Sequence, residues 1–348
     1  MRFTLIVLVG LEIFLHFYNP FSGRVKNGEI VLPVNKRYEV DIDSIPGLDR
    51  HIIHTKNSLG FRGEEPTDSS RLKIICMGGS TTECFYLNDG RDWPNVLAKK
   101  LKSQNREIWL NNAAMDGHSS FGNLVMLKQY ILKMKPDCII LMCGLNDIGL
   151  EAPSKFDNYS NSWFKKVYNF LELPSTIVNI TRSGEAKKSG LNHHFFKDIS
   201  KEEKLYLTDS QILEQLKSQQ NFLPQYKQRI TEFAELCKKN NIRLIFVSQA
   251  ILFSDEADLF TNVYLGDIKT GNTNGKAKAL LLKLYNKATF EVADNMKVPF
   301  INLSARLPKD SRFFYDGYHF TNDGAEMVAD ILYDEITTQQ LIRKRQAE

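Results

Sequence analysis

The chain has 348 residues, of which 43% are hydrophobic, and a formal net charge of +4. This length and apolar content are sufficient for one large domain with extensions. The net charge is small and both signs are mixed along the chain, which excludes a basic surface of the kind that binds nucleic acid. The five cysteines are odd in number and include no CxxC pair, which argues against a disulfide framework and against a zinc site.

The chain begins with an apolar segment at residues 3–18, interrupted by Glu12 and His16. It is shorter than the roughly 20 residues that span a bilayer without strain. No small-x-small cleavage site precedes Phe21, so residues 1–22 are predicted to be an uncleaved signal-anchor; a cleaved signal peptide and a buried helix of the globular part are the alternatives. Basic residues flank both ends, but export-type segments favour an extracytoplasmic main domain.

Residues 23–70 are rich in Gly, Pro and Asn and are predicted to form an extended arm that lies on the main domain. Within this arm, Asn27 and Gly28 lie between two short β-type runs, at residues 24–26 and 29–32. An Asn-Gly pair in this position is typical of a tight β-hairpin.

From residue 71 to about residue 340, short apolar runs alternate with segments of helical periodicity. Five runs are predicted to be strands: 73–77, 108–112, 138–143, 244–248 and 300–303. The predicted helices are 93–101, 124–134, 223–237, 281–296 and one that begins after Asn322. This alternation predicts an α/β fold in which helices cover both faces of a doubly wound, five-stranded parallel sheet.

The interval 151–221 is too long for an ordinary connection and is predicted to be an insertion with its own helices. Its apolar face is formed by Trp163, Phe164, Val167, Phe170 and Leu171. Packing onto the domain is the expected role, and a lid or a membrane-facing flap is the alternative.

Polar clusters follow four of the five predicted strands. They occupy residues 78–83, 112–117, 144–147 and 316–319. Ligands of an open parallel sheet bind beyond the carboxyl ends of the strands, so all four clusters are expected on the same edge.

The clusters contain the parts of a nucleophilic site. Ser80 follows two glycines that allow a sharp turn, and a serine hydroxyl needs an adjacent base to become reactive. His319 is the candidate base, and Asp316 is placed to orient its ring. The backbone N–H groups of Ser80 and Gly117 and the side-chain amide of Asn146 are candidate donors to an oxyanion.

The motifs Gly-Gly-Ser-Thr at 78–81, Gly117, Gly-x-Asn-Asp at 144–147 and Asp-x-x-His at 316–319 resemble, in this order, the four blocks of the SGNH (GDSL-like) hydrolase family. The resemblance covers roughly residues 71–335. It implies a flavodoxin-like three-layer fold, hydrolysis or transfer of acyl esters and no cofactor. It also implies that Ser80, Gly117, Asn146 and His319 are the four named residues of the family and that Asp316 completes a triad.

The first block differs from the commoner Gly-Asp-Ser-Leu and is similar to that of carbohydrate-esterase-like members, which weakens a lipase interpretation. The segment 57–63 resembles an arm found in membrane-anchored members. The expected protein is therefore a membrane-anchored or exported serine esterase whose substrate is a small acyl ester, with a short acyl group on a saccharide as the first expectation. An O-acyltransferase with the same residues and a catalytically silent carbohydrate-binding or assembly protein are the alternatives.

Several other interpretations are disfavoured. A phosphate-binding loop at 78–82 lacks the P-loop lysine, and the neighbouring Glu83 would repel a phosphate. A Gly-x-Ser-x-Gly elbow is excluded because Thr82 occupies the position of its last glycine. Cys84 is expected to be a packed thiol, since no base is paired with it.

The remaining histidines are not assigned to the site. His118, adjacent to Gly117, is expected to be solvated, with contact to a substrate as the alternative. The pairs at 51 and 54 and at 193 and 194 lack supporting ligands, so no metal is predicted. An ion pair between Arg62 and Glu83 is predicted to connect the arm to the loop of Ser80.

Overall fold

The computed structural model describes residues 2–17, 25–26, 29–43, 45–66, 72–104, 107–149, 171–174, 176–177, 180 and 196–342. The chain divides into two compact units, Met1–Leu32 with Ser154–His194 and Pro33–Pro153 with Phe195–Glu348. The residues Asn27, Gly28, Trp163, Phe164, Val167, Phe170, His193 and His194 of the sequence predictions lie outside the described residues.

The first unit contains one long helix and a short strand pair. Helix α1 spans Arg2–Phe17. Strands β1 (Val25–Lys26) and β2 (Glu29–Ile30) pair antiparallel, as the predicted hairpin requires. The carboxylate of Glu12 accepts the backbone N–H groups of Glu172 at 2.5 Å and Leu173 at 2.9 Å. Among the described helices, none combines the length and the apolar character needed to cross a bilayer.

The second unit is built on a six-stranded sheet. Its strands are β5 (Arg62–Gly63), β6 (Leu72–Gly78), β7 (Ile108–Asn112), β8 (Cys138–Met142), β9 (Arg243–Val247) and β12 (Phe300–Ile301). Their order is β12-β9-β8-β6-β7-β5, and all neighbours are parallel except β5, which is antiparallel to β7. The five predicted parallel strands are therefore present, and the arm adds a sixth strand that the sequence interpretation did not include.

Within the described part of this unit, two further strand pairs lie outside the six-stranded sheet. They are β3 (Arg37–Asp41) with β4 (His51–Thr55) in the arm, and β10 (Lys269–Thr270) with β11 (Thr273–Asn274). Both pairs are antiparallel.

The helices of this unit follow the predicted alternation with strands. They are α2 (Ser80–Glu83), α3 (Trp93–Lys102), α4 (Ser120–Met126), α5 (Leu132–Met134), α6 (Asp209–Ser218), α7 (Leu223–Lys239), α8 (Gly275–Met296), α9 (Leu303–Arg306) and α10 (Asn322–Thr338). A π-helical turn, Leu127–Ile131, joins α4 to α5. Helix α3 begins at the N-cap Asp92, whose side chain accepts the N–H of Asn95, and α10 begins in the same way at Thr321.

Buried strand residues divide between the two faces of the sheet. Successive side chains of a strand point to opposite faces, so Ile74 and Cys76 face one side and Ile75 and Met77 the other; all four are fully buried. The first face forms one apolar cluster with residues of α3 and α10, which include Trp93. Helix α7 packs against both α4 and α8, and α7 and α8 also contact β9. The result is the mixed α/β fold with helices flanking the sheet that the sequence predicts.

Strand order reverses at the centre of this sheet. The chain passes from β6 to β7 on one side and then returns to β8 on the other side of β6. In open parallel sheets a crevice forms outside the carboxyl ends of the strands at such a reversal. Ser80 follows β6 at this position.

Candidate active site

The turn after β6 brings the chain close to two neighbouring segments. A Cβ atom at Gly78 would lie 2.3 Å from Oγ1 of Thr82, and one at Gly79 would lie 2.6 Å from Nδ2 of Asn146. Neither position has room for a side chain. The two glycines therefore allow Thr82 and Asn146 to approach the backbone immediately before α2, whose first residue is Ser80.

The hydroxyl of Ser80, the ring of His319 and the carboxylate of Asp316 form a continuous chain of hydrogen-bonding groups. Nε2 of His319 lies 2.8 Å from Oγ of Ser80, and Nδ1 lies 2.6 Å from Oδ2 of Asp316. Ser80 and His319 are 239 residues apart in sequence. The structure thus brings together the three side chains that the sequence analysis assigned to a nucleophile, a base and an orienting carboxylate.

A tight turn holds Asp316 in this orientation. Its second oxygen, Oδ1, accepts the backbone N–H groups of Tyr318 at 2.9 Å and His319 at 2.8 Å. Burial by itself raises the pKa of Asp316, but the adjacent His319 and these hydrogen bonds outweigh it and hold the pKa below the ordinary value. The carboxylate is therefore ionised and able to keep the proton of His319 on Nδ1.

The three predicted oxyanion donors come from neighbouring segments. Nδ2 of Asn146 donates to the carbonyl of His118 at 3.1 Å, and it also lies against Gly79. The amide is therefore held between the residue that precedes Ser80 and the residue that follows Gly117. Ser80 is the first residue of α2, and the first N–H groups of a helix lack partners within it. Gly117 has a φ of 77°, which favours glycine whatever the surrounding space.

The buried carboxylate of Asp147 and the partly buried Arg229 support the turn that carries Asn146. The carboxylate of Asp147 accepts the N–H of Ser120 at 2.9 Å and its hydroxyl at 2.5 Å, and a nitrogen of Arg229 lies 3.1 Å from it. Burial raises the pKa of Asp147, partly offset by Ser120 and Arg229. This network fixes the 3₁₀ turn Leu145–Asp147 against helix α4.

Two residues that contact the site were not identified from the sequence. Tyr315 stacks on His319, with ring centroids 5.7 Å apart and an interplanar angle of 20°. Gln249 donates to the hydroxyl of Thr81 at 2.9 Å and accepts the N–H of Leu145 at 2.9 Å, so it bridges the segments of Ser80 and Asn146. Gln249 follows β9 closely, so the rule that located the other polar clusters would also have found it.

The predicted ion pair between Arg62 and Glu83 is wrong in its partners. The carboxylate of Glu83 pairs with Lys56 at 2.8 Å, whereas Arg62 donates to the backbone carbonyl of Glu83 at 3.2 Å and pairs with Asp89 and Asp92. The path of the arm explains this difference. Arg62 lies on β5 and reaches the carbonyl groups at the end of α2, whereas Lys56 reaches the carboxylate of Glu83.

The other cysteine and histidine side chains considered from the sequence do not belong to the Ser80–His319–Asp316 arrangement. The thiol of Cys84 is buried, which raises its pKa far above the ordinary value, and it donates to the carbonyl of Thr81. His118 is buried, not solvated as expected. His51 is exposed and 2.7 Å from Asp41, whereas His54 is fully buried. Among the described residues, no group of three or more His, Cys, Asp or Glu side chains is arranged to hold a metal ion.

The fold and the Ser80–His319–Asp316 arrangement together have the form of a serine hydrolase on a doubly wound α/β sheet. The model of the GDSL-like lipase/acylhydrolase family matches residues 76–327, which is more than half of the chain. The chain belongs to this family. It is an ester-hydrolysing serine hydrolase.

Solved structures with similar architecture include esterases and acylhydrolases at low sequence identity. The esterase EstA from Pseudoalteromonas sp. is 12% identical, with a TM-score of 0.45 over 77% of this chain and 98% of that one. A mutant of the acetyl-xylooligosaccharide esterase Axe2 from Geobacillus is 13% identical, with a TM-score of 0.45 over 80% and 99%. A lipase/acylhydrolase from Enterococcus faecalis is 16% identical, with a TM-score of 0.41 over 79% and 99%. No curated protein sequence matches this chain.

Proposed function

We propose that Ser80 is the nucleophile of this esterase, His319 its general base and Asp316 the residue that orients the base. The observation that carries the proposal is the position of the His319 ring, with Nε2 at 2.8 Å from Ser80 and Nδ1 at 2.6 Å from Asp316. A base must lie within hydrogen-bond reach of the proton that it removes, and a third group must fix its tautomer. The distances at the two ring nitrogens support both roles.

The reaction then proceeds by double displacement. Oγ of Ser80 attacks the ester carbonyl carbon while Nε2 of His319 takes the hydroxyl proton. The charge that develops on the carbonyl oxygen is stabilised by the N–H groups of Ser80 and Gly117 and by the amide of Asn146. The carbon–oxygen bond to the alcohol breaks, and the alcohol leaves with the proton from His319. Water then attacks the acyl-enzyme while Nε2 of His319 takes its proton; the bond between the acyl carbon and Oγ of Ser80 breaks, the proton passes from His319 to Oγ, and the acid is released.

Hydrolysis of p-nitrophenyl acetate by the wild type and by Ser80→Ala tests the nucleophile. We expect turnover by the wild type and loss of nearly all of it in the variant. Ser103→Ala is a matched control, because this hydroxyl caps the end of α3 and has no part in the proposed chemistry. A fluorophosphonate should label Ser80 in the wild type and in the control. Activity that survives in Ser80→Ala, or labelling at another residue, would contradict the assignment.

We further propose a short acyl group on a saccharide as the substrate. The support is the Gly-Gly-Ser-Thr block at residues 78–81, which resembles that of carbohydrate-esterase-like members. The same residues would transfer the acyl group if a sugar hydroxyl displaced water from the acyl-enzyme. Release of acetate from acetylated polysaccharide, measured with and without an added sugar acceptor, separates hydrolysis from transfer. A preference for long-chain esters would refute the proposed substrate class.

We also propose that the N-terminal segment attaches the protein to a membrane, with the catalytic domain on the extracytoplasmic side. The support is the apolar character of helix α1, where Leu5, Ile6 and Phe17 are among the exposed side chains. Fractionation of cells that express the full chain, followed by an alkaline wash of the membranes, tests the attachment. Protease digestion of intact and permeabilised cells tests the side. Recovery of the full chain in the soluble fraction would contradict this proposal.

A further inference from the structure

A buried ion pair connects the arm to the helix that carries Ser80. The ammonium group of Lys56 lies 2.8 Å from Oε1 of Glu83, and their side chains are only 2% and 9% exposed. Lys56 directly follows strand β4 of the arm, and Glu83 is the last residue of α2. Removing two charges from water is costly, so such a pair persists only when its geometry and its further hydrogen bonds are good.

The other oxygen of this carboxylate holds the loop of the proposed oxyanion hole. Oε2 of Glu83 accepts the backbone N–H of Asp116 at 2.5 Å. Asp116 immediately precedes Gly117, whose own N–H is a proposed oxyanion donor. One carboxylate thus connects the helix of the nucleophile to the loop of a donor.

Arg62 holds the same helix from its carboxyl end. Its guanidinium group, 1% exposed, donates to the carbonyl groups of Glu83 at 3.2 Å and Cys84 at 2.8 Å, and also to that of Leu87. The last carbonyl groups of a helix lack partners within it, and a cation is a favourable donor to them. Two cations of the arm therefore act on α2, one at its final carbonyl groups and one at its acidic side chain.

We infer that Lys56 and Glu83 are positioning residues for the oxyanion hole. In this view the Lys56 ammonium fixes the Glu83 carboxylate, and the carboxylate fixes the Asp116 N–H, so that the adjacent Gly117 N–H keeps its place relative to Ser80. The inference depends on the proposed function of Ser80 and Gly117. Its physical basis is that donors stabilise an oxyanion fully only when they are oriented before the reaction, and a misplacement of 1 Å costs about 100-fold in rate.

Four variants test this inference. Lys56→Met removes the ammonium group, and Glu83→Asp keeps the charge but shortens the side chain by one methylene, so that it cannot reach both partners. Lys56→Arg is the conservative variant that restores the cation. Lys100→Met is the matched control, because it removes an ammonium group that pairs with Asp330, between α3 and α10. Kinetic constants, melting temperature and amide hydrogen exchange over residues 115–118 are measured for each variant.

We expect kcat to fall roughly 10- to 100-fold in Lys56→Met and Glu83→Asp, with KM changed less than about threefold. Exchange at Asp116 and Gly117 should become faster in both. Lys56→Arg should recover most of kcat, and Lys100→Met should retain the wild-type kcat and exchange.

Failure of the inference and failure of the proposed function would give different results. One contrary result is a lower melting temperature of the Lys56→Met and Glu83→Asp proteins with the wild-type kcat, and another is slow exchange at Asp116 in these proteins. Either result would show that the pair only stabilises the fold and would overturn the inference. A wild-type protein without esterase activity, or activity retained in Ser80→Ala, would instead refute the proposed function and the catalytic part of the inference with it.

Discussion

The phenol ring of Tyr315 lies nearly parallel to the imidazole of His319, at an interplanar angle of 20° and a centroid distance of 5.7 Å. The two residues are also connected through the backbone, where the N–H of Tyr315 donates to the carbonyl of His319 at 3.0 Å. Tyr315 is 3% exposed. The base is thus held on three sides, by Ser80, by Asp316 and by a buried aromatic face.

This stacking predicts a difference between two substitutions of Tyr315. Tyr315→Phe keeps the flat ring and should retain most of kcat. Tyr315→Leu fills similar space without a flat surface and should lower kcat up to about 10-fold, because aromatic pairs contribute roughly 0.5–1.5 kcal/mol beyond their area. Steady-state kinetics on p-nitrophenyl acetate measure the effect. Equal kcat values for the two variants would show that the ring only fills volume.

Asp316→Asn should abolish most of the activity with little change in KM. The amide cannot hold the proton of His319 on Nδ1 as a carboxylate does, and the equivalent change in a well-studied protease lowers kcat about 10⁴-fold. Asp310→Asn is the matched control, since this buried carboxylate lies on the same loop but pairs with Arg312. The control should lower stability only. An Asp316→Asn enzyme with a kcat near that of the wild type would contradict the proposed role.

A methyl group at residue 79 should damage the oxyanion hole. In Gly79→Ala the new Cβ would lie 2.6 Å from Nδ2 of Asn146 and 3.1 Å from the carbonyl of His118, so the amide must move. Loss of one oxyanion donor costs about 10²–10³ in kcat. We therefore expect similar losses in Gly79→Ala and Asn146→Ala, and a double variant no worse than either, because both substitutions remove the same donor. Additive losses in this double-mutant cycle would indicate independent effects.

Stability should depend on pH through His54. Burial, with added repulsion from Arg62 and Lys56, lowers the pKa of His54 from 6.5 to about 3. As pH falls below 6.5 the unfolded chain binds a proton that the folded protein does not, so stability decreases; below about 3 both states are protonated and the loss stops. The slope approaches about 1.4 kcal/mol per pH unit within this window.

Denaturant unfolding between pH 7 and pH 4 tests this expectation. His54→Phe should reduce the loss of stability on acidification, although the missing hydrogen bond to Phe85 costs a constant amount at every pH. Identical slopes in the wild type and in His54→Phe would show that His54 binds its proton equally well in the folded and unfolded states.

Local patterns in the chain were sufficient to predict the five parallel strands of the sheet and the side chains of Ser80, His319 and Asp316 that the structure brings together. The central parallel strands are buried on both faces and therefore appear as nearly continuous apolar runs, such as the residues of β6 and β8. The carboxyl ends of parallel strands meet at one edge, so polar residues after those runs had to converge. For this reason Ser80 and Asn146 could be placed together; Asp316 and His319 follow β12 only after α9 and a 3₁₀ turn, and their Asp-x-x-His spacing was the signal that assigned them to the same site.

The partners of the supporting side chains depended on three-dimensional packing. Lys56 and Arg62 are six positions apart in one arm, and their charges alone do not show which of them reaches the carboxylate of Glu83. The outcome is set by β5 joining the edge of the sheet, which directs Arg62 to the carbonyl groups at the end of α2.

The stacking of Tyr315 on His319 and the bridge made by Gln249 have the same origin. Gln249 connects segments that are distant in sequence, and Tyr315 reaches the ring of His319, four residues away, only because of the turn between them; neither contact has a periodicity in the sequence. Apolar periodicity reports the face that an element buries. The choice of a partner for a buried polar group is decided by which donors and acceptors the completed fold places within about 3 Å of it.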